Sequence, residues 1–456
     1  MRKNFKYEMS TVKFVLMFVF ALSVFELKPL SQEVRIGVLL PLFENSEDVS
    51  KKQLGIDLSN GILFAMNEYN RNPGTKVTLD IRDTERDPKI CSEKFNEMAQ
   101  NKGIIGVLGP IFSSELAEIT GFALTEMLPL ISPTATGDNL AENHDYVFQL
   151  NPSYKVRGKL IANYMMKQMK MENFAVISED TYGVNFKTHF EDEVRKLGGN
   201  IVSSHLYSKS ATSIAGIIDS LLNVIKENDL FININNLNLQ QRQKIESSGV
   251  RPSLIDSLVS MNIDVSVYYL FGRYARKIID TMNIKPYKLK STNSKYIQGY
   301  IDAIYIPISN TNEIGIIVPA LSSNGLEYFI AGTGDWNNDK ALEDNKVYLK
   351  NLIMESEYFV DEKDSRVQSL KERLKKTKFK FNKSFLFGYD AMSIILSLIS
   401  EGNTTRQKLN ESLMKLSNFE GIKSKFSLDY YRINSELNIL SYENGLNLIQ
   451  TYKINR

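Results

Sequence analysis

From Val34 onward the chain alternates short apolar runs with stretches whose apolar residues recur at helical spacing. The run VRIGVLLPL, starting at Val34, reads as a buried strand stopped by proline; Leu58, Ile62, Ala65, Met66 and Tyr69 then recur every three or four positions, the signature of one helix face. KVTLDIRDT, from Lys76, is a second strand. Asp87 and Pro88 supply a helix start, an N-cap residue followed by proline at the first helical position, leading into KICSEKFNEMAQN. GIIGVLGP is a third strand, Ser113 and Ser114 open the next helix with Glu115 in its first turn, and LPLISP is a fourth strand. Four strand-helix units in a row predict a parallel sheet covered by helices on both faces.

After Phe148 the rhythm restarts: a helix near Lys155 to Met169, strand NFAVISED, a helix over Val184 to Leu197, strand NIVSSHLYS. This predicts a second α/β lobe. Between about Leu222 and Tyr296 the alternation breaks into Asn-rich, Gln-rich and basic segments with some helical periodicity, at Ile255, Leu258 and Val259, and no evident strand-helix pair. We read it as a mostly helical insertion in the second lobe. Strands IDAIYIPI, YFIAGTG and LIMESEYFV follow, then helices through Ser400.

At 456 residues the chain is long enough for two or three domains. Lys and Arg total 55 against 53 for Asp and Glu, so no basic field favours a nucleic-acid partner, and none is expected. The single cysteine, Cys91, excludes an intramolecular disulfide and any Cys-based zinc cluster within the chain. His144, His189 and His205 lack H-E-x-x-H spacing, and neither a G-x-S-x-G elbow nor a phosphate-binding G-x-x-x-x-G-K-[ST] loop occurs. No catalytic residue, metal or cofactor is expected. Lys3, Lys6 and Lys13 precede the uncharged run Phe14 to Phe25, which is short for a bilayer span and reads as the core of a signal peptide over residues 1–32. An uncleaved anchor is the alternative; with no cysteine nearby, a lipoprotein is not expected.

LISPTAT, Leu130 to Thr136, places three hydroxyls around a proline at the carboxyl end of a strand, where ligands of open α/β sheets sit. These residues can form an ordinary turn. They can also offer hydroxyls and backbone N–H groups to a small ligand, together with the Ser113/Ser114 pair at the next strand end.

IGVLLPL, GILFAMNEYN, VLGPIFSSE, LISPTAT, DTYGVNF and FGYDAM follow one another in an order and spacing that resemble the type I periplasmic binding proteins of branched-chain amino-acid ABC importers. The resemblance covers about Val34 to Leu222 and Tyr296 to the C-terminus. It implies two Rossmann-like α/β lobes joined by three crossover strands, near Gln149 to Tyr154, Glu355 to Val360 and Phe419 to Ser424, closing on a small ligand. The implied lobes are 33–151 and 358–420 for the first, and 152–357, with the insertion at about 222–296, and 421–456 for the second.

The implied ligand positions are Ser113, Ser114, Thr134, Ala135 and Thr136 in the first lobe, and Tyr182, Ser309, Asn310, Asp335 and Trp336 in the second. In that family Asp335 in GTGDW would meet the ligand ammonium. Seven of them have a plain structural alternative: helix caps for Ser113 and Ser114, turn residues for Thr134, Thr136 and Asp335, hinge wall for Tyr182 and core for Trp336. The resemblance further implies a non-enzymatic, periplasmic monomer that hands an amino acid or similar solute to an inner-membrane ABC permease. A protein of the same fold that activates a penicillin-binding protein is the alternative, with the insertion as its contact surface.

Overall fold

The computed structural model describes residues 33–289 and 301–454. The expected signal peptide at 1–32 and residues 290–300 lie outside the described residues.

The first sheet is built from β1 (Glu33–Leu40), β2 (Lys76–Asp83), β3 (Ile104–Leu108), β4 (Leu130–Ser132) and β5 (Val147–Gln149), all parallel, in the order β2-β1-β3-β4-β5. Helices α1 (Val49–Tyr69), α2 (Pro88–Gln100) and α3 (Ser113–Thr125) connect its strands. Strands buried on both faces carry continuous apolar runs, and β3 has no exposed residue. Asp87 caps α2 as expected, its carboxylate accepting from Lys89 N and Ile90 N.

Helix α4 (Tyr154–Lys167) opens the second lobe, followed by β6 (Asn173–Glu179), α5 (Gly183–Lys196), β7 (Asn200–Tyr207) and α6 (Ala215–Asn228). Ile218, Leu221 and Ile225 of α6 are buried in the second-lobe core, so regular structure continues past Leu222, where the alternation in sequence fades. The chain then builds a small unit of its own: β8 (Phe231–Asn233), α7 (Leu239–Glu246), α8 (Pro252–Met261), β9 (Asp264–Ser266), α9 (Val267–Phe271) and α10 (Ala275–Thr281). It is mostly helical, but β8 and β9 form an antiparallel pair that the sequence pattern does not reveal. Ile232, Ile245, Leu258, Val265 and Ile279 belong to a core separate from that of the lobe. Its ends meet, because Phe231 and Tyr287 exchange backbone hydrogen bonds of 2.8 and 3.0 Å.

Strands β10 (Ala303–Ile306), β11 (Phe329–Gly332) and β12 (Leu352–Ser356), with α11 (Ile314–Ser323) and α12 (Asp339–Asp344) between them, complete the parallel part of the second sheet. Helices α13 (Ser365–Leu374), α14 (Lys383–Ser400) and α15 (Arg406–Leu413) then return to the first lobe, where Met392 and Ile395 share a core with Ile36 and Val38. Helix α14 lies directly on α1. A Cβ on Gly61 would sit 2.0 Å from Phe385 O, and one on Gly388 would sit 2.1 Å from Leu58 O, so only glycine permits this approach at either position. After the short ladder of β13 (Phe419–Glu420) and β14 (Lys425–Phe426), the hairpin β15 (Glu436–Tyr442) and β16 (Leu446–Lys453) adds antiparallel to β12. The second sheet thus runs β16-β15-β12-β11-β10-β6-β7. Its parallel part repeats the strand order of the first sheet, and in such sheets ligands bind at the carboxyl ends of the strands where the order reverses.

Candidate functional site

The first-lobe switch point lies between β1 and β3, and a chamber of about 490 Å³ opens there. Leu54 and Leu58 of α1, Ile111, Phe112 and Phe387 give it apolar walls; Ser113, Ser114, Thr134, Thr136, Tyr154, Lys383 and Ser384 supply its polar groups. The structure therefore gathers all five first-lobe candidates, Ala135 included, in one lining. A larger recess of about 630 Å³ lies between the second crossover and the start of β16, and none of these groups lines it.

Neither serine caps α3. The N-cap is Phe112, whose side chain accepts nothing, so the helix presents its first N–H groups at the chamber without a cap of its own. Ser113 acts on the neighbouring loop instead. Its Oγ accepts from Thr136 N at 3.3 Å and Gly137 N at 2.9 Å, tying the loop after β4 to the start of α3. The three hydroxyls of LISPTAT divide in the same way. Ser132 Oγ donates to Pro110 O at 2.6 Å and Thr134 Oγ1 to Ile111 O at 2.7 Å, and both fix the loop. Among the described residues the hydroxyls of Ser114 and Thr136 have no hydrogen-bond partner and remain available at the chamber.

Across the hinge, Tyr154 at the start of α4 packs edge-on against Tyr182, ring centroids 5.6 Å apart, and against Phe186 at 4.9 Å. Tyr182 thus stands behind the chamber wall, its phenol pushed up chiefly by burial. Beside it lies a buried charged cluster. Arg157 Nε donates to both Glu355 oxygens at 3.1 and 3.0 Å, and Arg157 Nη2 lies 3.1 Å from Glu357 Oε2. Lys383 Nζ pairs with Glu357 Oε1 at 2.8 Å, and Lys423 Nζ donates to Glu357 O at 3.1 Å. Burial pushes the Glu355 carboxyl up to about 8 and Lys423 down to about 8. Burial works on Glu357 in the same direction as on Glu355, but Lys383 and Arg157 hold it below the usual carboxylate range. Asp335 borders this cluster; burial raises it, and Arg157 opposes that shift.

The remaining second-lobe candidates are committed elsewhere. Trp336 has no exposed surface, sits in the second-lobe core and donates its indole N–H to Ile306 O at 2.8 Å; it is a core side chain here, not a ligand platform. Ser309 and Asn310 cap the turn before α11, where Ser309 Oγ, Ser309 N and Asn310 N all donate to Glu313 Oε1. Neither lines the chamber. Sequence reasoning missed Leu54, Phe387, Lys383 and Arg157. Phe387 opens FGYDAM and Lys383 lies one turn earlier on the same helix, but only the packing of α14 on α1 brings them to the site. Among the described residues no group of three or more His, Cys, Asp or Glu side chains is placed to hold a metal ion.

The architecture defines the class: this is a type I periplasmic binding protein fold, two α/β lobes of matching strand order around a hinge. Residues 33–223 match the family described as Periplasmic binding protein. The fold is similar to that of the branched-chain amino acid transporter substrate binding protein LivJ from Streptococcus pneumoniae, solved in complex with isoleucine. That likeness has a TM-score of 0.55 at 16% identity and covers 93% of this chain and 100% of LivJ. In sequence the chain is 29% identical over 210 residues to an uncharacterized protein of Methanocaldococcus jannaschii, covering 41% of this chain and 50% of that protein. It is 23% identical over 202 residues to the chemotactic signal transduction system substrate-binding protein BasB of Halobacterium salinarum, covering 42% and 48%. The chain thus matches about half the length of these curated relatives.

Proposed function

We propose that this is an extracytoplasmic solute-binding protein, exported by its N-terminal segment and monomeric, that takes up an amino acid or related small polar solute and delivers it to an ABC permease. The observation that carries the reading is the uncapped N-terminus of α3, open to a chamber that also holds the free hydroxyls of Ser114 and Thr136. Such a terminus suits a carboxylate, because its N–H groups lack intrahelical partners and the helix dipole favours negative charge. Ser113, Thr134 and Ala135 shape the loop that carries Thr136. The apolar walls suit an aliphatic body, and Tyr182 and Asp335 complete the cage as the lobes close by hinge motion. LivJ, of the same fold, is solved with isoleucine, which supports this ligand class.

A thermal-shift screen against amino acids, amides and small carboxylates tests the reading. Ligand at about 100 times its Kd should stabilise the protein by about 2.7 kcal/mol. No shift with any of them overturns it. A second reading, ligand presentation to a signalling partner, draws on the relative named as a chemotactic binding protein and on the separately cored unit of the second lobe. Co-purification with a receptor in place of a permease would favour it.

A further inference from the structure

Two amides of the first crossover lie outside the chamber lining and belong to no motif. Gln149 is fully buried and commits both donors to the loop after β4: Nε2 donates to Ala135 O and to Gly137 O, each at 3.1 Å. Asn151 Nδ2 donates to Thr134 O at 3.2 Å. Tyr154 N donates to Thr136 O at 3.0 Å. Residues 149 to 154 therefore hold four successive carbonyls of the loop, from Thr134 to Gly137.

The other half of each amide is left over. Gln149 Oε1 and Asn151 Oδ1 are buried with no hydrogen-bond partner. An orphaned buried acceptor is costly, so a residue that bears one is kept for its donors. Turning the Gln149 amide over would set its oxygen against two carbonyl oxygens, which fixes the orientation. Its backbone is equally constrained, with Gln149 N donating to Arg432 O at 3.0 Å and Asn434 N to Gln149 O at 2.9 Å.

We propose that Gln149 is the positioning residue of the ligand loop: by bridging the carbonyls on either side of Thr136 it sets how that residue meets the ligand, with Asn151 as its auxiliary. This rests on the reading of the loop as ligand-binding. Because Gln149 sits on a crossover and Tyr154 opens the first helix of the second lobe, hinge rotation reaches the loop directly through these bonds.

Gln149→Met keeps the length and removes the donors. Hydrogen exchange on the ligand-free chain should show the Thr136 and Gly137 amides exchanging at least about tenfold faster, with β3 and α3 unchanged. Affinity for L-isoleucine, read by calorimetry, should fall by about tenfold or more. Unchanged loop exchange overturns the proposal, and so does protection lost throughout the first lobe, which makes Gln149 a general core residue. Gln149→Glu guards against a folding failure. Its protonated carboxyl can still donate one O–H, so loop protection, corrected for intrinsic exchange, should recover as pH falls, and a flat profile overturns the assignment. If the wild type binds no amino acid while Gln149→Met still loosens the loop, the proposed ligand class fails and the positioning role stands.

Discussion

The two lobes share a strand order, yet two helix termini beside their switch points, after β3 in the first lobe and after β6 in the second, are treated in opposite ways. In the first lobe β3 leads to α3, whose N-terminus has no side-chain cap and opens on the chamber. In the second lobe β6 leads to α5, whose N-cap, Tyr182, likewise supplies no acceptor, but Glu179 fills the terminus from within. Its carboxylate accepts from Thr181 N at 2.9 Å, Tyr182 N at 2.7 Å, Gly183 N at 2.9 Å and the Thr181 hydroxyl. Burial works against that charge, but these donors outweigh it and hold the carboxyl below its usual range. The first lobe offers no such substitute. Glu115, in the first turn of α3, is buried, and burial raises its carboxyl while Thr84, the Phe112 backbone and Arg86 oppose that shift. One helix terminus is thus closed by the protein's own anion, and the other has no side-chain cap from its N-cap residue. On the proposed function, a ligand with a single carboxylate would be received at the α3 terminus, which would set its direction in the cleft.

The largest effect should come from breaking the closed side. Glu179→Ala leaves three backbone N–H groups and the Thr181 hydroxyl without their acceptor. Hydrogen bonds to a charged group are each worth about 1.5 to 3 kcal/mol, so a loss of at least about 3 kcal/mol is expected in denaturant unfolding. Near-wild-type stability would mean that the second helix terminus does not depend on Glu179, and the contrast between lobes would lose its basis.

A pH series sharpens the comparison at the hinge, where the second lobe keeps its other buried charges. Glu355 lies well above the ordinary carboxylate value, at about 8, so between about pH 4.5 and 8 the folded state holds a proton that the unfolded chain has released. The Glu355 contribution to stability should therefore fall as pH rises through that window and level off above it. Each unit of displacement is worth about 1.36 kcal/mol, which makes the decline a few kcal/mol. Glu357, displaced downward, contributes across the whole window and loses its contribution only in stronger acid. Glu355→Gln should flatten the decline in unfolding free energy measured from pH 5 to 8. Parallel curves for wild type and variant would show that Glu355 carries no proton in the folded state.

How much of this was legible in sequence follows from the range of the interactions. The strands and first-lobe helices were readable because their apolar periodicity is local, and the Asp87-Pro88 start is a matter of adjacent residues. The hydroxyls of LISPTAT and the Ser113/Ser114 pair are legible because strand ends are marked by local turn chemistry, and the family resemblance adds Ala135 to the group. The sequence leaves Trp336 open between core and ligand platform because GTGDW looks the same whether its indole turns outward or inward. The cavity under Ile306 that receives it is built from another strand. Gln149, Arg157 and Lys383 were invisible for a related reason: their partners lie elsewhere in the chain, Arg157 being 198 positions from Glu355. In the insertion, three-residue strands are too short to show alternation.

The smallest expected effect belongs to the open side, and it separates two hydroxyls that look alike in sequence. Ser113 works within the protein, accepting two loop N–H groups, whereas Thr136 has a hydroxyl with no partner among the described residues. Thr136→Val should weaken ligand binding by about 1.5 to 3 kcal/mol if that hydroxyl meets a charged group. Stability should change by less than about 0.5 kcal/mol, as for substitutions that break no existing contact. Ser113→Ala should instead lower both, because losing its oxygen frees the loop as well as altering the chamber. Calorimetric titration beside thermal unfolding of the two variants reads the difference directly. Equal losses of stability would place Thr136 with Ser113 as a loop support and leave the ligand to the helix terminus and Ser114 alone.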